Sequence, residues 1–548
     1  MKKISNMKNL ISAYELIKSK PGNMTRGISY ETLDGISLAT LNKMQSRLRA
    51  GTFQFPPARR KIPKPGKKET RPLTIASPRD KIIQKAIQLV IEPQFEESFL
   101  ECSHGFRPSK GTRTAMAYID SKFQGSRFII EADFSKAFDS IQHKKLVEIL
   151  KEKITCPKTL SLINSGLKAG YVEFGKLHEN LSVGTPQGSN LSPLLCNIYL
   201  HKLDLYMEEV KQKYNRGEKH RKNKVYVSLS NAAKYMRLKG LNTRKPAKYK
   251  ALVKKLVSTP SMKYDQEYVR IQYVRYADDF IIGVEGSYQT AKTILHEVES
   301  WINDELKLKL NPEKTGIIKH SDTPVKFLGY TLKAPHTKGA QKPLESLKTA
   351  GRTITRRRKL RIRIYMDYSK VLNKLSTKGF IKTRINHEEH DRRKYRGTFR
   401  GNLVNLEHAD ILRYYNSVTR GLYNYYNFVG NVQNLAHVGW LLEESCCLTL
   451  ARKFKLKTMA ATYRKFGKGL GCDVTLKNGK RKKISLWSPA DFKKQNIQSG
   501  NNGRALEKFG RGMECFTKSN LHKACVICGE TDGVETHKKG KRLEKTKL

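Results

Sequence analysis

The sequence predicts a mixed α/β protein of several domains, and three observations carry that reading. Apolar, β-branched runs end on carboxylates, as in "RFIIEADF" and "YVRYADDFIIGV". Between them lie stretches with apolar residues at three- and four-residue spacing, the signature of helices. After "KFLGYTL" the composition shifts to a basic, tyrosine-dense stretch. At 548 residues the chain can build several domains and a large core.

The elements follow in order. Residues 1–50 read as helical, from the apolar spacing in "YELIKSK" and "LNKMQSRLRA". "FPPARRKIPKPGKKETRPLTIAS" is broken by prolines and predicts short strands and turns. Residues 79–100 predict a helix with one apolar face, broken or ended near Pro93. "RFIIEADFSKAFDSI" predicts a buried strand that ends at Asp133 and turns into a helix. "GTPQGSNLSPLLCNIYLHKLDLYMEEV" predicts a glycine- and proline-containing loop opening a long helix. Residues 211–255 hold 16 lysines and arginines and one acid, Glu218, which predicts an exposed basic insertion. Residues 346–470 read as mainly helical, and residues 471–548 are polar and rich in glycine and lysine. No internal repeat of fixed period is present.

Charge bounds the function. Lysine plus arginine number 106 against 49 acids, a formal net charge of +57. Self-repulsion on that scale opposes folding, so it points to a polyanionic partner, nucleic acid before any other. The basic residues are spread along the whole chain and not gathered on one amphipathic helix, which argues against a membrane surface. No run of about 18 apolar residues offers a membrane span. The amino-terminal residues show neither a secretory apolar core nor an arginine- and serine-rich transit pattern, so the protein is expected to work where it is made. Nine scattered cysteines, an odd number, argue for a reducing compartment and against a disulfide framework.

Asp278 and Asp279 sit side by side between two apolar runs that predict the strands of a hairpin. With Asp133 at the end of another strand, they form a set of hard oxygen donors suited to Mg²⁺. Two such ions about 4 Å apart can hold an attacking hydroxyl and a leaving pyrophosphate in line. An Asp-Asp pair alone is usually a polar turn. Here "DFSKAF", "GTPQGSNLSPLL" and "YADD" occur in order in a strongly basic chain.

"GFRPSKGTRTA", "EADFSKAFDSI", "GTPQGSNLSPLLCNIYL", "VRYADDFIIGV", "LNPEKTGIIK" and "VKFLGY" together resemble the successive blocks of a reverse transcriptase of the group II intron type. "RYYNSVTRGLYNYYNF" resembles the maturase region that follows the thumb in these proteins. The resemblance covers roughly residues 50–470 and lies nearest the organellar, mitochondrial-like members.

The resemblance implies a right-hand polymerase followed by an α-helical thumb and maturase domain. Its divisions would be 1–130 (amino-terminal extension and fingers), 131–335 (palm, with a basic insertion at 210–265), 336–470 (thumb and maturase domain) and 471–548 (DNA-binding region). It implies an RNA-directed DNA polymerase that binds its intron RNA, assists splicing and copies the intron into DNA during retrohoming. The alternative is a maturase-only splicing factor. A minimal retroelement polymerase would not need the tyrosine-rich region. The implied partners are group II intron RNA, a DNA target, template–primer and dNTPs, with no membrane. The implied location is the mitochondrial matrix, or the bacterial cytoplasm as the alternative.

Residue by residue, the resemblance makes Asp133, Asp278 and Asp279 the ligands of two Mg²⁺ ions, with the Phe134 carbonyl nearby. Phe138 stands where the family has a steric gate against the ribonucleotide 2′-hydroxyl, with a plain core residue as the other reading. Lys64 and Arg71 match residues that hold the incoming triphosphate. Gln187 and Gly188 would line the nucleotide pocket, and Lys314 would lie near the leaving pyrophosphate, with a merely solvated lysine as the other reading. Arg107, Arg413, Tyr414, Arg420 and Tyr423 are expected to touch nucleic acid, by phosphate contact or base stacking. Cys525 and Cys528 have the spacing of a zinc knuckle and are candidates for Zn²⁺. Three ligands can be counted there with His537, or four with Cys515 or His522. That count implies a truncated or degenerate nuclease region, with no endonuclease activity expected.

Overall fold

The computed structural model describes residues 1–18, 25–29, 31–61, 73–179, 181–186, 188–218, 221, 223–259, 267–334, 344–349, 352–357, 362–383, 394–475, 479–487, 494–497, 519, 521 and 535–536. They form two compact units, which cut across the four expected sequence blocks. One comprises Met1–Tyr118, Phe128–Ile317 and Asn501–Leu548, and the other Ile119–Arg127 and Ile318–Gly500.

The first unit is built on a five-stranded sheet in the order Gly316–Lys319, Phe128–Ala132, Asp279–Glu285, Arg270–Tyr276, Ser103–His104. The two runs that flank the aspartates are its central antiparallel pair. They are apolar because both faces are covered: Tyr273, Phe280 and Ile282 are buried on one face, and Val274 and Ile281 on the other. The helix Tyr288–Leu306 contributes Ala291, Ile294, Val298, Ile302 and Leu306 to the same core, a spacing of three and four that puts them on one face. It starts where Ser287 Oγ accepts the Thr290 N–H at 3.0 Å, a cap worth about 1 kcal/mol. The helix Ser192–Tyr214 begins with Pro193 in its first turn, where a missing N–H costs nothing, and buries Leu194, Ile198 and Tyr199.

A four-stranded sheet, in the order Leu73–Ile75, Ala58–Lys61, Tyr171–Glu173, Lys176–His178, lies in the same unit. The helix Pro78–Glu96 takes in Pro93 and ends three residues later, the second of the two expected outcomes. Pro93 lies in the last turn, where losing one bond of the ladder is cheaper than losing the packing of Ile91 and Phe95. The basic insertion forms two substantial helices, Lys224–Leu238 and Pro246–Ser258, and of their residues only Ala233 is buried. Residues near the carboxyl end return to the amino-terminal helices. Glu535–Thr536 pair with Ile36–Ser37, and Ser519 Oγ donates to Glu15 Oε1 at 2.7 Å.

The second unit departs from the expected helical reading at its start. Leu344–Thr349 and Arg352–Arg357 form a hairpin, and Arg363–Met366 pairs with Tyr330–Lys333. Within "RTITRRRKLRIRI" the described residues Arg352–Arg357 and Arg363–Ile364 are strand, in keeping with the β-branched Thr353, Ile354, Thr355 and Ile364 that they carry. Beyond residue 400 helices dominate, chiefly His408–Tyr426 and Val432–Lys453. Among the described residues no helix is long and apolar enough to cross a membrane. The described cysteines are all free.

Candidate active site

Sheet register brings the aspartates together. Ala132 pairs with Phe280, so the next residue along, Asp133, lies level with Asp279. Tyr276 pairs with Asp279, leaving Ala277 and Asp278 as a two-residue turn. Ala277 has φ +55°, a left-handed conformation that costs a residue with a β-carbon about 1–2 kcal/mol. The peptide that follows Asp133 is also strapped down. The Asn311 N–H donates to the Asp133 carbonyl and the Ser135 N–H to the Lys309 carbonyl, both at 2.8 Å.

The Asp133 side chain lies within hydrogen-bonding reach of Asp279. Burial raises the Asp279 carboxyl well above the usual range, and the charges of Asp278 and Asp133 push it further, against the pull of Lys314. Lys314 Nζ donates to Asp133 Oδ2 at 2.7 Å. Burial also raises Glu131, with Asp133 adding to the effect. Among the described residues no three Asp, Glu, His or Cys side chains converge tightly enough to hold a metal ion as they stand. In kind, the donor set fits a hard divalent cation. Its donors are carboxylate oxygens, and burial first, with the charges of Asp278 and Asp133 after it, disfavours an ionised Asp279 that has no divalent cation beside it.

The Phe134 ring is buried, its centroid 5.5 Å from that of Phe280. Phe138 is half-buried against the core, and its carbonyl accepts the Thr185 N–H at 2.6 Å. The loop after Thr185 is thereby held beside Phe138. A second clasp, His143 Nε2 to the Gly184 carbonyl at 2.6 Å, holds the same loop. Gly188 in that loop has φ +111°, which glycine alone adopts without strain. Lys64, Arg71, Gln187, Cys525, Cys528, Cys515, His522 and His537 lie outside the described residues.

Two expected nucleic-acid contacts are corrected. The Arg107 side chain is buried, with its guanidinium on Glu96 (2.8 Å) and on the carbonyls of Ser103 (2.6 Å) and Leu100 (2.8 Å). It holds the loop together and presents no surface. Tyr423 is 2% exposed and donates to the Leu435 carbonyl. It packs where helix meets helix, as Tyr415 does with Ser445 and Thr449. Arg413, Tyr414 and Arg420 of the same helix are exposed, and Arg413 pairs with Asp410 one turn earlier.

Sequence reasoning overlooked Arg275, three residues before Asp278. That residue lies in the strand that leads into the aspartates. Arg275 is a cation in that flank, but it is buried on Asp204. The signal was present as an arginine in the buried half of the strand, next to Tyr273 and Val274.

A family model described as Reverse transcriptase (RNA-dependent DNA polymerase) matches residues 62–227 and 246–332, and one described as Type II intron maturase matches 359–509. The Group II intron-encoded protein LtrA of Lactococcus lactis subsp. cremoris is 34% identical over 544 residues, covering 95% of this chain and 86% of that protein. The chain belongs to the group II intron-encoded reverse transcriptase/maturase family. Two Saccharomyces cerevisiae proteins, the putative COX1/OXI3 intron 2 and intron 1 proteins, are each 35% identical. The alignments cover 98% and 97% of this chain, which spans 61% and 64% of their lengths. A chain of a partial Cas6-RT-Cas1–Cas2 complex matches at 21% identity over 55% of this chain and 42% of its own, with a TM-score of 0.29, too low to bear on the fold. The aspartate cluster lies within the reverse transcriptase match. The maturase match takes in the helix that carries Arg413 and Arg420.

Proposed function

We propose that this chain is an RNA-directed DNA polymerase encoded by a group II intron, and that it also binds the intron RNA, assists its splicing and copies it into DNA during retrohoming. The observation that carries the reading is the meeting of Asp133 with Asp278 and Asp279 at adjoining strand ends, inside a segment matched by the reverse transcriptase family. The net charge of +57 supports nucleic-acid partners: intron RNA, template–primer and a DNA target.

In this reading the sheet belongs to the palm of a right-hand polymerase, with fingers before it and a thumb and maturase region after it. Asp133, Asp278 and Asp279 would hold Mg²⁺, which supplies charge neutralisation and Lewis acidity when bound. Lys314, already on Asp133, is placed to meet an anionic leaving group. Phe138 sits beside the Thr185–Gly188 loop, where its ring can exclude a 2′-hydroxyl. Lys64, Arg71 and Gln187 would complete the dNTP contacts. Arg413, Tyr414 and Arg420 supply an exposed surface for intron RNA. Cys525 and Cys528 remain the candidate zinc ligands. The relatives come from intron proteins of yeast and from a bacterium, and we place this chain in the mitochondrial matrix, with the bacterial cytoplasm as the alternative.

Primer extension on an RNA template tests the reading. The parent should extend in Mg²⁺, and Asp278→Ala should lose about 10³-fold or more, the scale of several kcal/mol of transition-state stabilisation. RNA affinity should be unchanged. Extension by Asp278→Ala at the parent rate would refute the site. A parent that binds intron RNA but never extends a primer would favour the maturase-only alternative.

A further inference from the structure

The turn that carries Asp278 is gripped by a buried network. Arg275 is fully buried in the strand Arg270–Tyr276. Its Nε donates to Asp204 Oδ1 at 2.8 Å and its Nη2 to Asp204 Oδ2 at 2.6 Å. Nη2 also donates to Ser103 Oγ at 2.8 Å, and Nη1 donates to Asn197 Oδ1 at 3.0 Å. Nη1 makes one bond more, to the carbonyl of Ala277 at 2.8 Å.

Ala277 is held from the other side as well. Its N–H donates to the His104 carbonyl at 2.9 Å. Asn197 Nδ2 donates to the Gly105 carbonyl at 2.9 Å, tying that segment to the same helix that bears Asp204. A Cβ at Gly105, where φ is +83°, would stand 3.1 Å from the Ala277 nitrogen, so glycine is what lets this segment come so close. Both backbone groups of the residue before Asp278 are therefore fixed.

Stability alone does not account for this arrangement. Apolar residues of similar volume commonly stabilise a core as well as a buried ion pair, or better. What they cannot do is donate to a backbone carbonyl. Ala277 has a left-handed φ, a conformation that persists only where its surroundings over-determine it.

We propose that Arg275 is a positioning residue. By holding the Ala277 carbonyl it fixes the Ala277–Asp278 peptide and the direction of the Asp278 carboxylate for polymerisation, while Asp204 and Asn197 hold the guanidinium. The proposal rests on the reading of Asp278 as part of a polymerase centre.

The test uses the full-length protein, primer extension on an RNA template at varied Mg²⁺ and dNTP, template–primer affinity, and thermal unfolding. Arg275→Met with Asp204→Leu removes the ion pair whole. Arg275→Lys keeps a cation opposite Asp204, but one ammonium cannot span Asp204, Asn197 and Ala277. A folded variant of either kind should lose about 10- to 100-fold in kcat, the range found when the partners that orient a metal ligand are removed. It should also need several-fold more Mg²⁺ for half-maximal rate, with template–primer affinity unchanged. Parent kcat and parent Mg²⁺ dependence in a folded variant would overturn the proposal. Failure of both variants to fold would overturn it too, since the network would then serve folding alone. Asp278→Ala run beside them separates the two claims. If it extends primers normally, the polymerase reading falls. If it is inactive while the Arg275 variants match the parent, only the positioning role falls.

Discussion

In the aspartate hairpin, Arg275 and Asp204 are both fully buried, and every arm of the guanidinium has a named acceptor. In the helix His408–Tyr426, Arg413 pairs with Asp410, and both side chains are about half exposed, at 51% and 49%. The first arrangement bonds the carbonyl of a turn residue, Ala277. The second leaves a cation in water, where its bridge is worth about 0.2–1 kcal/mol and it can exchange Asp410 for a phosphate. On the proposed reading, buried charge sets geometry and exposed charge sets affinity.

Removing a buried partner should show the contrast most strongly. Asp204→Ala leaves Arg275 uncompensated in the core and should cost about 3–5 kcal/mol in a denaturant titration. A cost below about 1 kcal/mol would put Arg275 with the exposed cations and break the comparison.

Asp80 extends the contrast to a lone buried acid. Burial, and then the charge of Glu31, push its carboxyl up to about 7, against the pull of Arg47. An unfolded aspartate titrates near pH 4. Below that pH both states are protonated and the stabilisation is present in full. As pH rises toward 7 the unfolded chain gives up its proton first, so stability falls, and it levels off above 7. Asp80→Asn should therefore match the parent near pH 4 and exceed it by roughly 2–4 kcal/mol at pH 8. Parallel stability curves for the two proteins across that range would remove Asp80 from the buried class.

On the same side of the comparison, Phe138 offers an uncharged control. Its carbonyl stays with Thr185 whatever the side chain is, so Phe138→Ala changes volume and little else. Discrimination against ribonucleotides in single-nucleotide extension should fall by about 10²-fold, the scale at which a pocket wall rejects one hydroxyl. Unchanged discrimination would return Phe138 to the core.

The smallest effect belongs to the exposed side. Arg413→Ala with Arg420→Ala should weaken intron RNA binding by about tenfold and flatten the salt dependence of log K by up to about 2, one unit per lost phosphate contact. Extension on a short generic template–primer should survive. Lost extension with normal RNA binding would mean that this helix serves the polymerase instead.

Much of the site could be read along the chain. The strands around Asp278 and Asp279, the strand ending at Asp133 and the helix opened by "SNLSP" follow from apolar patterning and turn residues, and the exposed basic insertion follows from its charge. Arg107 and Tyr423 were misjudged for one reason. Arginine and tyrosine in a basic chain look like nucleic-acid contacts, and nothing local says that Glu96 or the Leu435 carbonyl already occupies them. Arg275 went unweighed because its partner is 71 residues away.

The sequence by itself determined most strands and helices, apart from the strands between residues 344 and 366, and the place of the carboxylates at strand ends, and it pointed to a polyanionic partner. Those depend on residues within a few positions of each other and on total charge. Tertiary structure decided which charges are buried with partners and which stay in water, because that choice is made between residues dozens of positions apart. It also decided that Ala277 is gripped from two sides, a contact that exists only once the sheet and the Ser192–Tyr214 helix have packed together. Burying a cation costs so much that it happens only where a remote acid meets it, and local sequence holds no record of that meeting.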